Sequence, residues 1–477
     1  MKPNTPTRTP SRTTSRSPSR TASRPPQQAS LRAPSNALNV LTPPLFNALV
    51  SALTTILPLT SPADVSLKFF FREHPKLGLR DRGLIAETIY TVLRHRRLLE
   101  HLVPEGTPRL LALAAMTRIQ GLGRRELDAV LRGGEEKFLV EMKTSKPASL
   151  PLPVEAELPD WVVSKLQAFM NDVDILELGR SMMNAAPLDL RVNAFKAKRD
   201  AVLKRFQQEG MSCSATPYSP LGIRLDSKIS LTKHAAFIEG FIEVQDEGSQ
   251  LLGILMEPKR GEMIVDFCAG AGGKSLMIGA AMASTGRVYA FDVSEKRLTN
   301  LGPRLKRSGL SNITPQRILN ENDSRIKRLA SKVDRVLVDA PCTGLGTLRR
   351  NPDLKYRQSE TGLAELNVKQ AAILASASRL VKRGGRLVYA TCSLLREENE
   401  MIVEGFLAEH PDFQVVIVDD IFARQKIALT GMQPYLRLTP KQHHTDGFFA
   451  AVLERKLDVK NKDSDIDPAA ESSEAAD

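Results

Sequence analysis

From residue 261 to residue 456, short apolar runs alternate with amphipathic stretches, the pattern that winds a mostly parallel sheet between helical layers. The runs 263–267, 288–292, 334–339 and 386–391 predict strands one, two, four and five of that sheet. Runs 413–418 and 448–453 predict two late strands. Before the fifth strand, Leu363, Leu366, Leu374, Ala377 and Val381 fall at helical spacing. This helix is expected to stop at Lys382-Arg383-Gly384-Gly385, because cations suit the last turn and glycine the stop.

Upstream the period changes. Residues 36–145 read as helical, most clearly over 81–94, where Ile85, Ile89, Val92 and Leu93 share one face. Runs 110–116 and 127–131 add further helices to a small bundle. Over 160–250 the two periods mix. Residues 188–193 alternate like a half-buried strand, and 200–208, closed by Gly210, form a helix that turns Val202, Leu203 and Phe206 inward. Prolines at 147, 151, 153 and 159 make 144–159 a linker. The fold class is therefore α/β: a doubly wound, Rossmann-like domain over 251–456, preceded by a small α+β module over 160–250 and an all-helical region over 36–145.

Composition narrows the function. A chain of 477 residues, 42% hydrophobic and 25% charged, has the make-up of two or three folded domains. No apolar run approaches the ~20 residues that span a bilayer, and no signal-peptide pattern opens the chain, so no membrane role is expected. The net charge of +13 favours a polyanionic partner, nucleic acid first. Residues 1–35 form a basic Ser/Thr/Pro/Arg tail in which Arg8, Arg12, Arg16, Arg20 and Arg24 recur among prolines, and 457–477 form an acidic one; both are expected to be disordered. Cys213, Cys268, Cys342 and Cys392 form no CxxC pair, which argues against zinc and disulfides and for a reducing, cytoplasmic compartment. No metal site is expected.

The candidate chemistry lies at strand ends. Cys268-Ala269-Gly270-Ala271-Gly272-Gly273-Lys274 follows the first predicted strand and opens a helix, so backbone N–H groups can approach a ligand closely. A phosphate-binding loop needs glycine where Cys268 stands, and a dinucleotide fingerprint wants Gly or Ala where Ser275 stands. A looser nucleotide loop remains, with Asp292 at the end of the next strand placed to bind ribose hydroxyls.

Asp339-Ala340-Pro341-Cys342 and Ala390-Thr391-Cys392-Ser393 each end a predicted parallel strand, which puts both thiols on one open edge of the sheet. Free cysteines are more often small buried hydrophobes. Two of them beside a nucleotide loop nonetheless suit one difficult reaction, methyl transfer to carbon 5 of a pyrimidine. Carbon 5 of cytosine is a poor nucleophile; thiolate attack at carbon 6 makes it enamine-like, and a base must later remove the carbon 5 proton. Asp339 is placed to hydrogen-bond the N3 or amino edge of the ring. Adenine-type methyltransferases carry an aromatic residue where Cys342 stands.

The segments 265–275, 334–356 and 387–400, with Glu397-Glu398-Asn399-Glu400 and the ending Asp446-Gly447-Phe448-Phe449, resemble the RsmB/NSUN family of RNA cytosine-5 methyltransferases over roughly residues 160–456. The resemblance implies S-adenosylmethionine as donor, Cys392 as nucleophile and Cys342 as the thiol that assists product release. It assigns donor binding to Cys268, Ala269, Gly270, Ala271, Gly272, Gly273, Lys274 and Asp292, and sets Asp339 where donor and base meet. A further polar contact is expected from the end of strand three, from Asn320 or Asp323. Residue 271 is Ala where the family often has Pro, and residue 343 is Thr where Ser is common; neither change removes a functional group.

Leu79-Arg80-Asp81-Arg82, Tyr90 and Val92-Leu93-Arg94 resemble the NusB-like RNA-binding domain fused to bacterial members of the family, which implies small-subunit ribosomal RNA as substrate for a monomeric enzyme. Arg349, Arg350, Lys355 and Arg357 are expected to grip backbone phosphates near a flipped base, and Arg191 to contact RNA from the α+β module. The alternatives are a non-catalytic RNA-binding or ribosome-assembly factor, a tRNA methyltransferase, and a DNA enzyme in which the Pro-Cys thiol attacks. The two intact thiols weigh against the first.

Overall fold

The computed structural model describes residues 41–104, 106–145 and 149–457. Both expected tails lie outside the described residues, save for Leu457.

Six of the helices at the N-terminal end are Pro43–Ile56, Ala63–Glu73, Leu79–Arg94, Arg96–Leu102, Pro108–Ala114 and Glu135–Thr144. Two start alike: Thr42 and Thr107 accept from the N–H groups of Leu45 and Leu110, and Pro43 and Pro108 follow, where their missing N–H costs nothing. The apolar stripe of Leu79–Arg94 (Ile85, Ile89, Val92 and Leu93) is fully buried, against Phe46, Leu49, Leu53 and Leu113 among others. Burial of such a stripe, at about 1.5–3 kcal/mol per side chain, holds the bundle together.

The expected linker is not a free one. Leu152–Glu155 forms a helical turn, and Val154, Ala156 and Leu158 pack with helices Asp160–Gln167 and Asp172–Met183. Glu157 is buried, accepts from the N–H groups of Arg97 and Leu98, and pairs with Lys355 at 3.2 Å. Lys355 also donates to the carbonyls of Arg94 and Glu157, both at 2.8 Å. Bundle, strap and catalytic domain are thus joined at one buried ion pair. Burial lowers the Lys355 pKa to about 8.

The α+β module holds β1 (Leu188–Val192), β2 (Cys213–Ala215), β3 (Gly222–Leu225) and β4 (Ile242–Val244), antiparallel in the order β2-β3-β1-β4. Helix Arg199–Gln208 packs Val202 and Phe206 on Leu190, Val192 and Ile223. The alternation in β1 is correct, but both its faces are covered. Asp189 and Arg191 point into an interface with the catalytic domain instead of toward solvent.

That domain contains β5 (Met263–Asp266), β6 (Arg287–Asp292), β7 (Ile313–Arg317), β8 (Val333–Asp339), β9 (Val381–Thr391), β10 (Phe413–Val416), β11 (Leu436–Leu438) and β12 (Phe448–Arg455). The sheet order is β10-β12-β9-β8-β5-β6-β7, with β11 beside β12. Strands β5 to β9 run parallel; β12 runs antiparallel between β9 and β10, so β10 has the direction of the parallel strands. Helices cover both faces: one apolar core holds Leu276, Ile278 and Leu301, the other Ile373, Leu374 and Ala377.

One boundary differs from expectation. Helix Glu360–Ser378 ends before Lys382, and Val381 already pairs with Val333. Lys382-Arg383-Gly384-Gly385 forms a bulge in β9, where Gly384 takes φ +70° and Lys382 pairs with Asp334. At the other end, 413–418 stops as a strand at Val416, and Val418 opens a helix.

The charge run after Cys342 is also reassigned. Arg349 pairs with Asp446 at 2.8 Å, Arg350 with Asp446 at 2.5 Å and Asp246 at 2.8 Å, and Arg357 with Asp353 at 3.4 Å. Arg349 and Lys355 are buried. Arg350 and Lys355 join domains, Arg349 is locked inside the catalytic domain and Arg357 pairs within its own helical turn; a desolvated cation already paired with a carboxylate is not offered to a phosphate. Lys355→Met should lower the unfolding free energy by about 3 kcal/mol, since it strands a buried carboxylate, and leave the salt dependence of RNA binding unchanged. Urea unfolding and a salt titration check this. A flatter salt slope at unchanged stability would return Lys355 to phosphate binding.

Candidate active site

Strands β5, β6, β8 and β9 end on one edge of the sheet with Asp266, Asp292, Asp339 and Thr391. The glycine turn leaves β5 and enters helix Gly273–Ala281. Gly270 and Gly272 have φ of +58° and +76°, which L side chains seldom adopt. A side chain on Gly272 would also strike Leu301, at 2.2 Å, whereas the space beside Gly270 is open. Asp292 is buried and accepts from the N–H groups of Gly270, at 2.8 Å, and Ser294, at 2.7 Å. It therefore ties β6 to the loop.

The loop's carbonyls are held from outside. Arg191 donates to the Gly273 carbonyl at 2.6 Å and also bonds Gln245; Arg304 donates to the Ala271 carbonyl at 2.7 Å. Arg191 is thus not a surface contact for RNA. It is buried, its pKa lowered to about 10 by that burial, and it presses the α+β module onto the cofactor loop. Alternation along β1 signalled the strand but not the cover on its second face.

Asp266 was not singled out by sequence. Its Oδ2 accepts from Ser275 at 2.6 Å, while its buried Oδ1 has no partner among the described residues. Burial raises its pKa to about 7; the Ser275 hydrogen bond opposes the rise and the Asp339 charge adds to it. An unfolded aspartate titrates near ~4, so between about pH 4 and 7 the folded state holds the extra proton and this group's contribution to stability falls as pH rises. Asp266→Asn stays neutral. Compared with the parent in urea unfolding without ligand, it should gain on the order of 3–4 kcal/mol between pH 4.5 and 8. A difference independent of pH would mean that Asp266 titrates normally.

Lys274, on the first turn of the helix, reaches Asp339 at 2.6 Å. Burial opposes its charge, yet Asp339, Asp266 and the Cys392 sulfur together hold the ammonium above its ordinary pKa. Lys274 thus sits with Asp339 at the thiol end of the site, as well as at the mouth of the glycine loop.

The two thiols meet: Sγ of Cys342 and Sγ of Cys392 are 3.3 Å apart, and the Cys392 N–H points at the Cys342 sulfur at 3.4 Å. The hydrogen bond with Cys392, then burial, then the charges of Cys392 and Glu398 push the Cys342 thiol well above its usual pKa. The two sulfurs thus share one hydrogen-bond contact, with the Cys342 thiol the one held above its ordinary range. Gly346 makes the approach possible: its N–H reaches the Cys392 carbonyl at 2.8 Å, and a side chain there would meet the Gly447 carbonyl at 2.2 Å. By contrast the Cys268 thiol is pushed up by burial and by Asp266, and packs with the core; only its backbone belongs to the loop.

Asn320 and Asp323 both lie beyond β7, and among the described residues neither hydrogen-bonds the glycine turn. Asp323 accepts from the N–H groups of Leu319 and Arg325, both at 2.9 Å, caps helix Ser324–Lys327 and pairs with Arg325. Asn320 is exposed, its carbonyl taken by the Asn322 N–H.

The donor set fits a cationic nucleoside: a turn open at Gly270, an unpartnered carboxyl oxygen at Asp266 and acids closing two further strands. A sheet of this order with such a turn after β5 defines a Rossmann-like methyltransferase. Residues 253–454 match the model of the 16S rRNA methyltransferase RsmB/F family, and residues 158–232 that of the ferredoxin-like domain of the same enzymes. The chain is 30% identical over 434 residues to a probable ribosomal RNA small subunit methyltransferase B of Synechocystis, covering 83% of this chain and 96% of the relative. It is 33% identical over 326 residues to the ribosomal RNA small subunit methyltransferase B of Citrobacter koseri, covering 68% and 70%. The crystal structure of PH0851 superposes with a TM-score of 0.72 at 26% identity, over 87% of this chain and 99% of that one. NSun6 from Pyrococcus horikoshii with SFG shares the fold, with a TM-score of 0.55 at 21% identity, over 62% and 98%. The chain belongs to the RsmB/F family of small-subunit ribosomal RNA methyltransferases, which take their methyl group from S-adenosylmethionine. Among the described residues no helix is long and apolar enough to cross a membrane, and no cluster of metal-ligating side chains occurs.

Proposed function

We propose that this protein, a cytoplasmic monomer, methylates carbon 5 of a cytosine in small-subunit ribosomal RNA through a covalent bond between Cys392 and carbon 6 of the ring. The observation that carries the reading is the thiol pair, 3.3 Å apart at the sheet edge beside the Lys274–Asp339 ion pair. A core cysteine needs neither a partner sulfur nor a buried ammonium.

In this reading the glycine turn, Asp266 and Asp292 hold the donor, with Asn320 or Asp323, both beyond β7, as the further polar contact. When bound, S-adenosylmethionine supplies an electrophilic methyl group. The chain's own groups do the rest. Lys274 and the N–H-rich turn place positive potential beside the Cys392 sulfur, which attacks carbon 6 as a thiolate. Asp339 holds the N3 and amino edge of the base, where charge develops in the adduct. The carbon 5 proton passes to water, with Cys342 beside Cys392 assisting, and the Cys392–carbon 6 bond then breaks, its electron pair returning to the Cys392 sulfur, to release the RNA.

Labelled donor mixed with unmodified 16S rRNA, assembled small subunits, tRNA or DNA, followed by mapping of methylated cytosines, tests the proposal. Label on carbon 5 of cytosine in the ribosomal substrates is expected. Label in DNA alone, or at another ring atom, would overturn it.

A further inference from the structure

The strand-end thiols depend on a carboxylate that the reaction itself does not use. Glu398 is fully buried and no cation pairs with it among the described residues. Its Oε1 accepts from the Thr343 N–H at 2.8 Å and from Gln370 Nε2 at 3.0 Å. Its Oε2 accepts from Thr343 Oγ1 at 2.5 Å and from Ser393 Oγ. Thr343 follows Cys342 and Ser393 follows Cys392, so one side chain holds the residue after each thiol. Gln370 also donates to the Pro341 carbonyl at 2.9 Å, on the other side of Cys342. The brace itself is fixed: Tyr389 donates to the Glu398 carbonyl at 2.7 Å, and Thr391 to Asn399 Oδ1 at 2.5 Å.

We propose that Glu398 is the positioning residue of the thiol pair: its carboxylate ties the Cys342 loop to the Cys392 loop and makes the two sulfurs unequal. A buried carboxylate held by four neutral donors is costly to desolvate against a neutral residue of the same shape. Here the charge is felt at the Cys342 sulfur. It adds to the rise in the Cys342 pKa and so disfavours a thiolate at Cys342. The inference rests on the methyltransferase reading above and deepens it.

Alkylation by iodoacetamide, mapped by mass spectrometry on the ligand-free full chain, reads the inequality without any turnover. In the parent protein Cys392 should label at least ~10-fold faster than Cys342, and in Glu398→Gln that ratio should fall toward unity. Glu398→Gln should also lose about 100-fold in kcat for RNA methylation, with the RNA KM within about threefold. A folded Glu398→Gln with an unchanged labelling ratio and a kcat within about threefold overturns the proposal. Should that variant not fold, Thr343→Val and Ser393→Ala each remove one hydroxyl donor, and Thr343→Ser restores it. Parent-like labelling in both of the first two overturns the proposal; a reduced ratio, rescued in Thr343→Ser, supports it. If the parent protein does not methylate cytosine in RNA, the enzymatic reading fails, while the labelling ratio still judges the role of Glu398.

Discussion

Cys392→Ala is expected to abolish both methyl transfer and any covalent RNA adduct, while Cys342→Ala should leave methylated RNA bonded to the protein. The two losses differ because the two thiols act at different times. Without the Cys392 sulfur nothing adds to carbon 6, carbon 5 never becomes enamine-like, and the rate should fall on the order of 10⁴-fold or more. Without Cys342 the attack and the transfer still occur, but the step that ends in elimination has lost its neighbouring thiol. The complex should then run as a slow, denaturant-resistant band on a gel. The structure sets the two sulfurs side by side, 3.3 Å apart, with the Cys342 thiol pushed above its usual pKa by Cys392, burial and Glu398. Accumulation of adduct in Cys392→Ala and its absence in Cys342→Ala would reverse the roles. Full activity in both would reduce the cysteines to packing.

Asp292→Ala should weaken binding of S-adenosylhomocysteine about 100-fold, as read by calorimetry. The carboxylate has two duties in the proposed site. It accepts from Gly270 at 2.8 Å and so holds the turn in its left-handed conformation, and it closes β6 where the donor's hydroxyls are expected. Hydrogen bonds to a charged group contribute about 1.5–3 kcal/mol each, and ~2.7 kcal/mol corresponds to 100-fold in affinity. Ser294 keeps its place at the start of helix Glu295–Ser308 through its own cap to Arg297, so the helix should survive the change. Unchanged affinity would move the donor away from this edge of the sheet.

Much of this site could be read along the chain because its parts are local. A strand that ends in Asp-Ala-Pro-Cys, a turn with glycines at 270, 272 and 273, and an acid closing the next strand each declare their geometry within a few residues. The apolar period of 81–94 likewise fixed which face is buried, and all four side chains named for it are. Lys382 to Gly385 misled because the same letters that stop a helix also permit a bulge. What separated them was the pairing of Val381 with Val333, a contact made across the sheet.

Residue type and local period determined the class of fold, the glycine turn and the two thiols at strand ends. Tertiary structure alone decided the fate of the charges. Arg191, Arg349, Arg350 and Lys355 look identical in sequence to surface cations that meet phosphate, yet each is bound to a carbonyl or carboxylate from another part of the chain. Glu398 lies 55 residues from Thr343, and no periodicity links them. A charged side chain reports its own chemistry wherever it stands. Whether water or another domain covers it depends on packing between segments distant in the chain, and that packing sets both its partners and its work.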